Sequence, residues 1–165
     1  MTRQEKYPET QTFKFLNENP KGRLTGDCAI RALTTATGYS YESVLWELTR
    51  LSLQTGYATT SVQNIDKYLK NHGWTKHKQP RKPDNKKFTG KEWCEFMELW
   101  FADYAMVANI GGSHVVAIKE ATCKNGAERY KIHDTWNSTG GCIGNFWTLG
   151  KYGDYDYEEA YALWR

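Results

Sequence analysis

The chain reads Leu24-Thr25-Gly26-Asp27-Cys28-Ala29-Ile30-Arg31-Ala32-Leu33 at the point where a polar turn leads directly into a short apolar helix. Candidate caps at Thr25 and Asp27, and Gly38 at the far end, predict that this helix covers residues 28–37. Cys28 is then its first residue. A helix N-terminus presents unpaired backbone N–H groups and a partial positive charge, which favour a thiolate over a thiol. Cys28 is therefore a candidate nucleophile, although most cysteines are simply small buried side chains.

Helical patterns fill most of the first half of the chain. Apolar residues recur at helical spacing after Ser40, after Thr60 and after Thr89. Thr60 with Gln63, and Thr89 with Glu92, have the spacing of a capping box. We therefore expect three further helices, each beginning close to one of these residues.

Strand patterns fill the second half of the chain. The apolar runs that favour strands are residues 104–110, 114–118, 129–134, 143–149 and 155–163. Helices followed by strands predict an α+β fold, with N-terminal helices packed on a C-terminal antiparallel sheet. The length of 165 residues is that of a single domain, residues 1–165, with a core large enough to enclose a cleft.

Two of these strands carry groups that are able to activate Cys28. His114 opens one strand after Gly111-Gly112-Ser113, and Asp134 ends the next. A histidine takes up the proton of a nucleophilic thiol, and a carboxylate orients the imidazole. Alone, Asp134 would more often form a turn, and His114 is as well explained by a structural role. In combination with Cys28 they suggest a cysteine hydrolase with a Cys-His-Asp triad.

The turn between these strands determines whether His114 and Asp134 share a face of the sheet. A two-residue turn at Asn125-Gly126 would place the two side chains on opposite faces. A bulged three-residue loop closed by residues 123 and 127 would place them on one face and His133 on the other. The triad hypothesis therefore predicts the bulged loop, and it favours His114 over His133 as the base.

Composition narrows the classes of function. The net charge of +3 is too small to indicate nucleic acid as a partner, and no apolar run is long enough to span a membrane. The polar N-terminus has no signal-peptide pattern, so we expect a cytoplasmic protein. The four cysteines form no CxxC pair, which favours free thiols over a zinc site with His72, His77 or His133. No metal and no cofactor are expected.

The order and context of Cys28, His114 and Asp134 resemble those of the papain-like cysteine peptidases, especially small ones such as the peptidase domain of bacteriocin-processing transporters. Residues 17–33, 134–136 and 143–147 are also similar to small proteins encoded by phages and their bacterial hosts. The resemblance implies a papain-like fold and hydrolysis of a peptide or isopeptide bond. It also implies the host cytoplasm as the location if the gene belongs to a phage.

One departure from the family concerns the oxyanion. The family carries a glutamine a few residues before the cysteine, and residues 22–27 contain none. The resemblance leaves Asn19 or Asn17 as the expected side-chain donor, together with the backbone N–H of Cys28. Loss of such a donor typically costs ~100- to 1000-fold in rate, so a weak or inactive enzyme is an open alternative.

The active and the inactive form of this hypothesis imply different binding partners. As a peptidase, the protein would act on a peptide or protein substrate, and the same triad would also serve acyl transfer to an amine. As an inactive peptidase-fold protein, it would bind and block a host protein, with an acidic surface of that partner meeting the exposed basic loop predicted over residues 76–88. Cys28→Ala would abolish function only under the first hypothesis.

Overall fold

The computed structural model describes residues 1–100 and 105–149 and has an α+β fold, as predicted. Its helices are α1 (Arg3–Lys6), α2 (Cys28–Thr37), α3 (Tyr41–Thr55), α4 (Val62–Asn71) and α5 (Gly90–Trp100). Its strands are β1 (Phe13–Phe15), β2 (Trp74–His77), β3 (Met106–Ile110), β4 (His114–Thr122), β5 (Glu128–Asp134) and β6 (Ile143–Leu149). Within these described ranges, no helix is long and apolar enough to cross a membrane. The strand predicted over residues 155–163 lies outside the described residues.

The six strands form one mixed sheet in the order β1-β5-β4-β3-β6-β2. Neighbouring strands are antiparallel except β1 and β5, which run parallel. The prediction of a C-terminal antiparallel sheet is therefore wrong in two respects, because β1 and β2 come from the first half of the chain and one pair is parallel. Both are short strands at the edges of the sheet. Such strands are determined more by pairing with a neighbour that is distant in sequence than by their own residue pattern.

Helices cover both faces of the sheet. On one face α2, α3 and α4 pack against sheet side chains that include Val107, Val115, Ala117 and Trp147. On the other face α5 packs against side chains that include Met106, Val116, Ile118 and Ile132. Consecutive residues of β4 thus alternate between two apolar cores, as the pleat of a strand requires.

Helix α2 has the predicted bounds. Gly38 adopts the left-handed conformation, with φ of 78°, that ends the helix. Of the two candidate caps, Asp27 occupies the N-cap position and Thr25 does not, but the Asp27 side chain makes no capping hydrogen bond. The helix is buried along most of its length, which its small residues permit. The N-terminus of α2 lies at the end of the sheet where β4 begins.

The other predicted helix starts are close to those observed. Ser40 caps α3 through its side chain, and the Thr89 hydroxyl accepts a hydrogen bond from the Glu92 N–H at the start of α5. The cap of α4 is Ser61, one residue after the predicted Thr60. Two adjacent hydroxyl residues offer the same local signal, so the sequence identified the turn but not the capping residue.

The β4–β5 hairpin has the register that the triad hypothesis requires. Ala117 pairs with His133, and the loop is closed by a 2.7 Å hydrogen bond from the Cys123 N–H to the Ala127 carbonyl. Gly126 has a φ of 83°, which is the left-handed conformation expected of a bulged three-residue loop. The predicted loop is confirmed, and it places His114 and Asp134 on the same face.

The basic segment is shorter and less exposed than the loop predicted over residues 76–88. Residues 76 and 77 belong to β2, and Phe88 is completely buried. Lys82 forms an ion pair with Glu92 of α5. These contacts engage part of the segment that the binding hypothesis assigned to an acidic partner.

Candidate active site

Residues from three elements meet at one end of the sheet. Cys28 is the first residue of α2, His114 the first of β4 and Asp134 the last of β5. His114 Nε2 lies 2.5 Å from Asp134 Oδ2, and the Cys28 thiol is hydrogen-bonded to His114. Because the carboxylate occupies Nε2, Nδ1 is the ring nitrogen left for the thiol. The three side chains thus have the connectivity of a nucleophile, a base and a group that orients the base.

The environment favours a charged thiolate–imidazolium pair. Burial would raise the pKa of the Cys28 thiol, but hydrogen bonds to His114 and to the Val115 backbone, with nearby positive charge, lower it below its usual value. Burial would lower the pKa of His114, but hydrogen bonds to Asp134 and Cys28 and the charges of these groups raise it to about 9. The two groups titrate as a coupled pair, and both shifts favour the charged form of each at neutral pH.

Asp134 is held in its ionised form although it is only 1% exposed. Its carboxylate accepts hydrogen bonds from the Thr135 N–H at 2.7 Å and from the Ser138 hydroxyl at 2.9 Å. Burial would raise the pKa of this carboxyl, but the hydrogen bond and charge of His114, with these two donors, lower it. A charged carboxylate of fixed orientation therefore faces the imidazole.

Arg31 connects this carboxylate to the residue that precedes the cysteine. Its Nε donates to Asp27 Oδ1 at 2.8 Å, and its Nη1 donates to Asp134 Oδ1 at 3.3 Å. The second oxygen of Asp27 accepts hydrogen bonds from the Tyr41 hydroxyl at 2.8 Å and from Asn19 Nδ2 at 3.0 Å. The Asp27 carboxylate is thus balanced by Arg31, which reduces its unfavourable effect on the neighbouring thiolate.

A pocket of about 280 Å³ borders the thiol. The residues that line it are Arg3, Leu24, Thr25, Gly26, Cys28, Arg31, His114, Thr135 and Trp136. The Trp136 ring lies against the His114 imidazole, with 5.2 Å between the ring centroids, and is 37% exposed. Larger pockets of about 430 and 600 Å³ lie elsewhere and include no member of the triad.

Neither asparagine predicted as an oxyanion donor lines this pocket. Asn19 Nδ2 donates to Asp27, and Asn17 Nδ2 donates to the Arg23 carbonyl at 3.2 Å. The structure therefore does not bring these amides to the thiol. The Asp27 side chain does not cap α2. The first N–H groups of the helix, beginning with that of Cys28, are therefore the donors that α2 offers to an oxyanion beside the thiol.

The sequence interpretation missed three side chains at this site. Arg31 had a usable signal, since it is the charged residue of α2 and follows Asp27 by four residues, a spacing that favours an ion pair. Ser138 lies in the polar stretch of residues 137–141, which carries no local sign of a contact with Asp134. Arg3 had no signal, because its place beside Cys28 depends entirely on the tertiary fold.

The remaining cysteines and histidines do not extend the site. Cys94 is completely buried, and burial raises the pKa of its thiol far above the usual range. His72 pairs with Glu47 at 2.8 Å, and His77 with the Thr148 hydroxyl at 2.7 Å. Across residues 1–100 and 105–149, no three His, Cys, Asp or Glu side chains are grouped so that they could hold a metal ion.

Comparisons with known proteins give no relative from which a function could be transferred. No protein-family model, no curated protein and no solved structure matches this chain.

Proposed function

We propose that the protein is a papain-like cysteine peptidase that hydrolyses a peptide or isopeptide bond. The observation that carries the proposal is the hydrogen-bonded series from the Cys28 thiol through His114 to the buried Asp134 carboxylate. A histidine that only stabilised the fold would be satisfied by Asp134 alone and would need no thiol with a lowered pKa at a helix N-terminus. Perturbed titratable groups that converge beside a pocket are typical of active sites.

In the proposed acylation step, the Cys28 thiolate attacks the carbonyl carbon of the substrate and forms a C–S bond. The carbonyl oxygen takes the negative charge, and the N–H groups at the start of α2 stabilise it. When the tetrahedral intermediate collapses, the C–N bond breaks. The leaving nitrogen takes the proton from Nδ1 of the His114 imidazolium, which leaves a thioester and a neutral imidazole.

Deacylation returns the site to its starting state. His114 removes a proton from a water molecule as that water attacks the thioester carbon. The C–S bond then breaks, the product leaves as a carboxylic acid, and the thiolate and the imidazolium are restored. Leu24 and Trp136, which line the pocket, are 56% and 37% exposed, so water reaches the thioester from solvent.

The other residues of the site act on His114. Asp134 fixes the imidazole so that Nδ1 faces the thiol, and its charge stabilises the imidazolium. Arg31 and Ser138 hold the Asp134 carboxylate in that orientation. These are positioning roles, because none of the three side chains needs to touch the substrate.

The test is cleavage of a defined peptide mixture that includes isopeptide-linked peptides, with new termini identified by mass spectrometry. We compare the wild type with Cys28→Ser and with the matched control Cys123→Ser, since both cysteines are half-buried. New termini from the wild type and the control, and none from Cys28→Ser, are the expected result. Cleavage that survives Cys28→Ser, or none from the wild type, would overturn the proposal.

A further inference from the structure

We infer that Arg3 makes the pocket selective for acyl substrates that carry a carboxylate next to the scissile bond. This inference rests on the proposed function, because it assigns a substrate class to the same site. Arg3 belongs to α1, at the opposite end of the sequence from His114, yet it lines the pocket beside Cys28 and Trp136. It is thus a polar side chain placed at the reacting atoms by tertiary structure alone.

The Arg3 side chain is anchored without using most of its donors. Its Nε donates to the Thr135 carbonyl at 2.7 Å, directly after the triad carboxylate in sequence. Its Cζ lies 5.4 Å from the centre of the Tyr7 ring. These contacts leave the N–H groups of the two Nη atoms, which are the part of a guanidinium that binds a carboxylate in a bidentate manner.

The charge of Arg3 is not balanced by an acidic side chain in the described part of the chain. The nearest acidic residue in sequence, Glu5, accepts instead from the backbone N–H of Thr2 in the capping box of α1. The second arginine of the pocket, Arg31, differs because it pairs with Asp27 and with Asp134. Among the described residues that line this pocket, Arg3 is therefore the arginine left to meet a substrate group.

The buried network around the thiol makes this cation necessary for an acidic substrate. With the thiol ionised, its negative groups are the Cys28 thiolate, Asp27 and Asp134, and its positive groups are His114 and Arg31. Three negative and two positive charges leave a net charge of −1 that would oppose a carboxylate. The positive charge of Arg3 brings this sum to zero at the pocket, so its removal should affect anionic reagents more than neutral ones.

The experiment compares the alkylation of Cys28 by iodoacetate and by iodoacetamide, resolved for each cysteine by mass spectrometry. In both reactions the thiolate forms a C–S bond as iodide leaves, and the reagents differ in carrying a carboxylate or a neutral amide. The variants are Arg3→Gln, which keeps a donor for Thr135, Arg3→Lys, which keeps the charge, and Arg23→Gln as an exposed control outside the pocket.

We expect Arg3→Gln to lower the ratio of iodoacetate to iodoacetamide rates by about fivefold at low salt, with a smaller effect at high salt. Arg3→Lys should retain part of the preference, and Arg23→Gln should retain nearly all of it. An unchanged ratio in Arg3→Gln would overturn the inference. If the ratio is unchanged because both reactions slow equally, Arg3 supports the thiolate itself and does not select the reagent.

The same data separate this inference from the proposed function. If wild-type Cys28 reacts with iodoacetamide no faster than Cys123 below pH 7, the proposed function fails. If Cys28 is selectively reactive but the ratio does not depend on Arg3, only the substrate class fails.

A second arm identifies the source of the carboxylate by protection of Cys28 from iodoacetamide. The probes are Ac-Gly-Asp-Gly-NH₂, with an acidic side chain, Ac-Gly-Gly-Gly-OH, with a free C-terminal carboxylate, and the neutral Ac-Gly-Asn-Gly-NH₂. We expect one of the two acidic peptides to protect Cys28 better than the neutral peptide in the wild type, and not in Arg3→Gln. Equal protection by all three peptides would contradict selectivity for a carboxylate.

Discussion

The β4–β5 hairpin carries two histidines whose surroundings are opposite in character. His114, at the start of β4, lies between the Asp134 carboxylate and the Cys28 thiol, which raise its pKa to about 9. His133, near the end of β5, lies on the other face, where Nε2 is 3.1 Å from the Lys119 carbonyl oxygen. There burial is the main cause that lowers its pKa to about 4, and the charges of nearby lysines add to it.

The difference teaches that register, rather than residue type, decides which histidine is able to act as a base. Asp134 and His133 are adjacent, so their side chains point to opposite faces of the sheet. The bulged loop at Gly126 gives the hairpin the pairing that puts Asp134 on the face of His114. A hairpin shifted by one residue would exchange the two faces.

The largest expected effect is the loss of peptide cleavage when His114, but not His133, is replaced. His114→Ala should lower the rate of peptide cleavage by about 1000-fold, since it removes the group that accepts and returns the proton. His133→Ala should leave this rate within about threefold of the wild type, because its side chain lies on the face of the sheet opposite to His114. Steady-state kinetics on one cleaved peptide measures both, and equal losses in the two variants would contradict the assignment.

Replacement of Arg31 should have the largest effect on the free energy of unfolding. Arg31→Met leaves the buried Asp27 and Asp134 carboxylates without their shared partner, which should lower the free energy of unfolding by about 3 kcal/mol. The exposed Arg50→Met is the control and should change it by less than about 0.5 kcal/mol. Urea denaturation measures both variants. Similar midpoints for them would show that the ion pairs of Arg31 with Asp27 and Asp134 add no stability.

Asp134→Asn should have a smaller effect on catalysis than His114→Ala. An amide oxygen is still able to accept a hydrogen bond from the imidazole, but the negative charge that raises the pKa of His114 is lost. We expect the rate of peptide cleavage to fall by about 30-fold and the pKa of His114 to move down toward its usual value. An NMR titration of the imidazole follows that pKa, and an unchanged value would contradict the role given to Asp134.

The smallest expected effect is the pH dependence of stability that arises from His133. Its pKa is lower in the folded protein than in the unfolded chain, so the unfolded state binds more protons between about pH 6.5 and 4. Stability should therefore fall as the pH decreases through this window, by on the order of 1–2 kcal/mol. Lys14 and Lys119 oppose protonation of His133, and Glu9 favours it.

The matched variant is His133→Gln, which keeps a donor for the Lys119 carbonyl and does not titrate. Denaturant midpoints between pH 7 and 4 should fall less steeply in this variant than in the wild type. Parallel curves for the two proteins would show that His133 is not held in its neutral form.

Local signals explain what the sequence predicted correctly. The bounds of α2 follow from Gly38, and the hairpin register follows from the loop at Gly126 combined with the alternation of side chains along a strand. These inferences needed only nearby residues and the requirement that His114 and Asp134 meet.

The failures have a different physical origin, because they depend on contacts between distant segments. β1 is only three residues long, and it is a strand because it pairs with β5. The amide of Asn19 is bound to Asp27, and no local sequence pattern indicates that contact. Arg3 reaches the pocket only through the fold.

The most direct test of the central claim is the pH dependence of Cys28 alkylation by iodoacetamide in the wild type and in His114→Ala. The thiolate–imidazolium pair predicts that wild-type Cys28 stays reactive well below pH 8 and that His114→Ala moves its titration up toward a normal thiol pKa of about 8.5. If Cys28 titrates near that value in both proteins, the pair does not exist, and the account of this site as an active site is wrong.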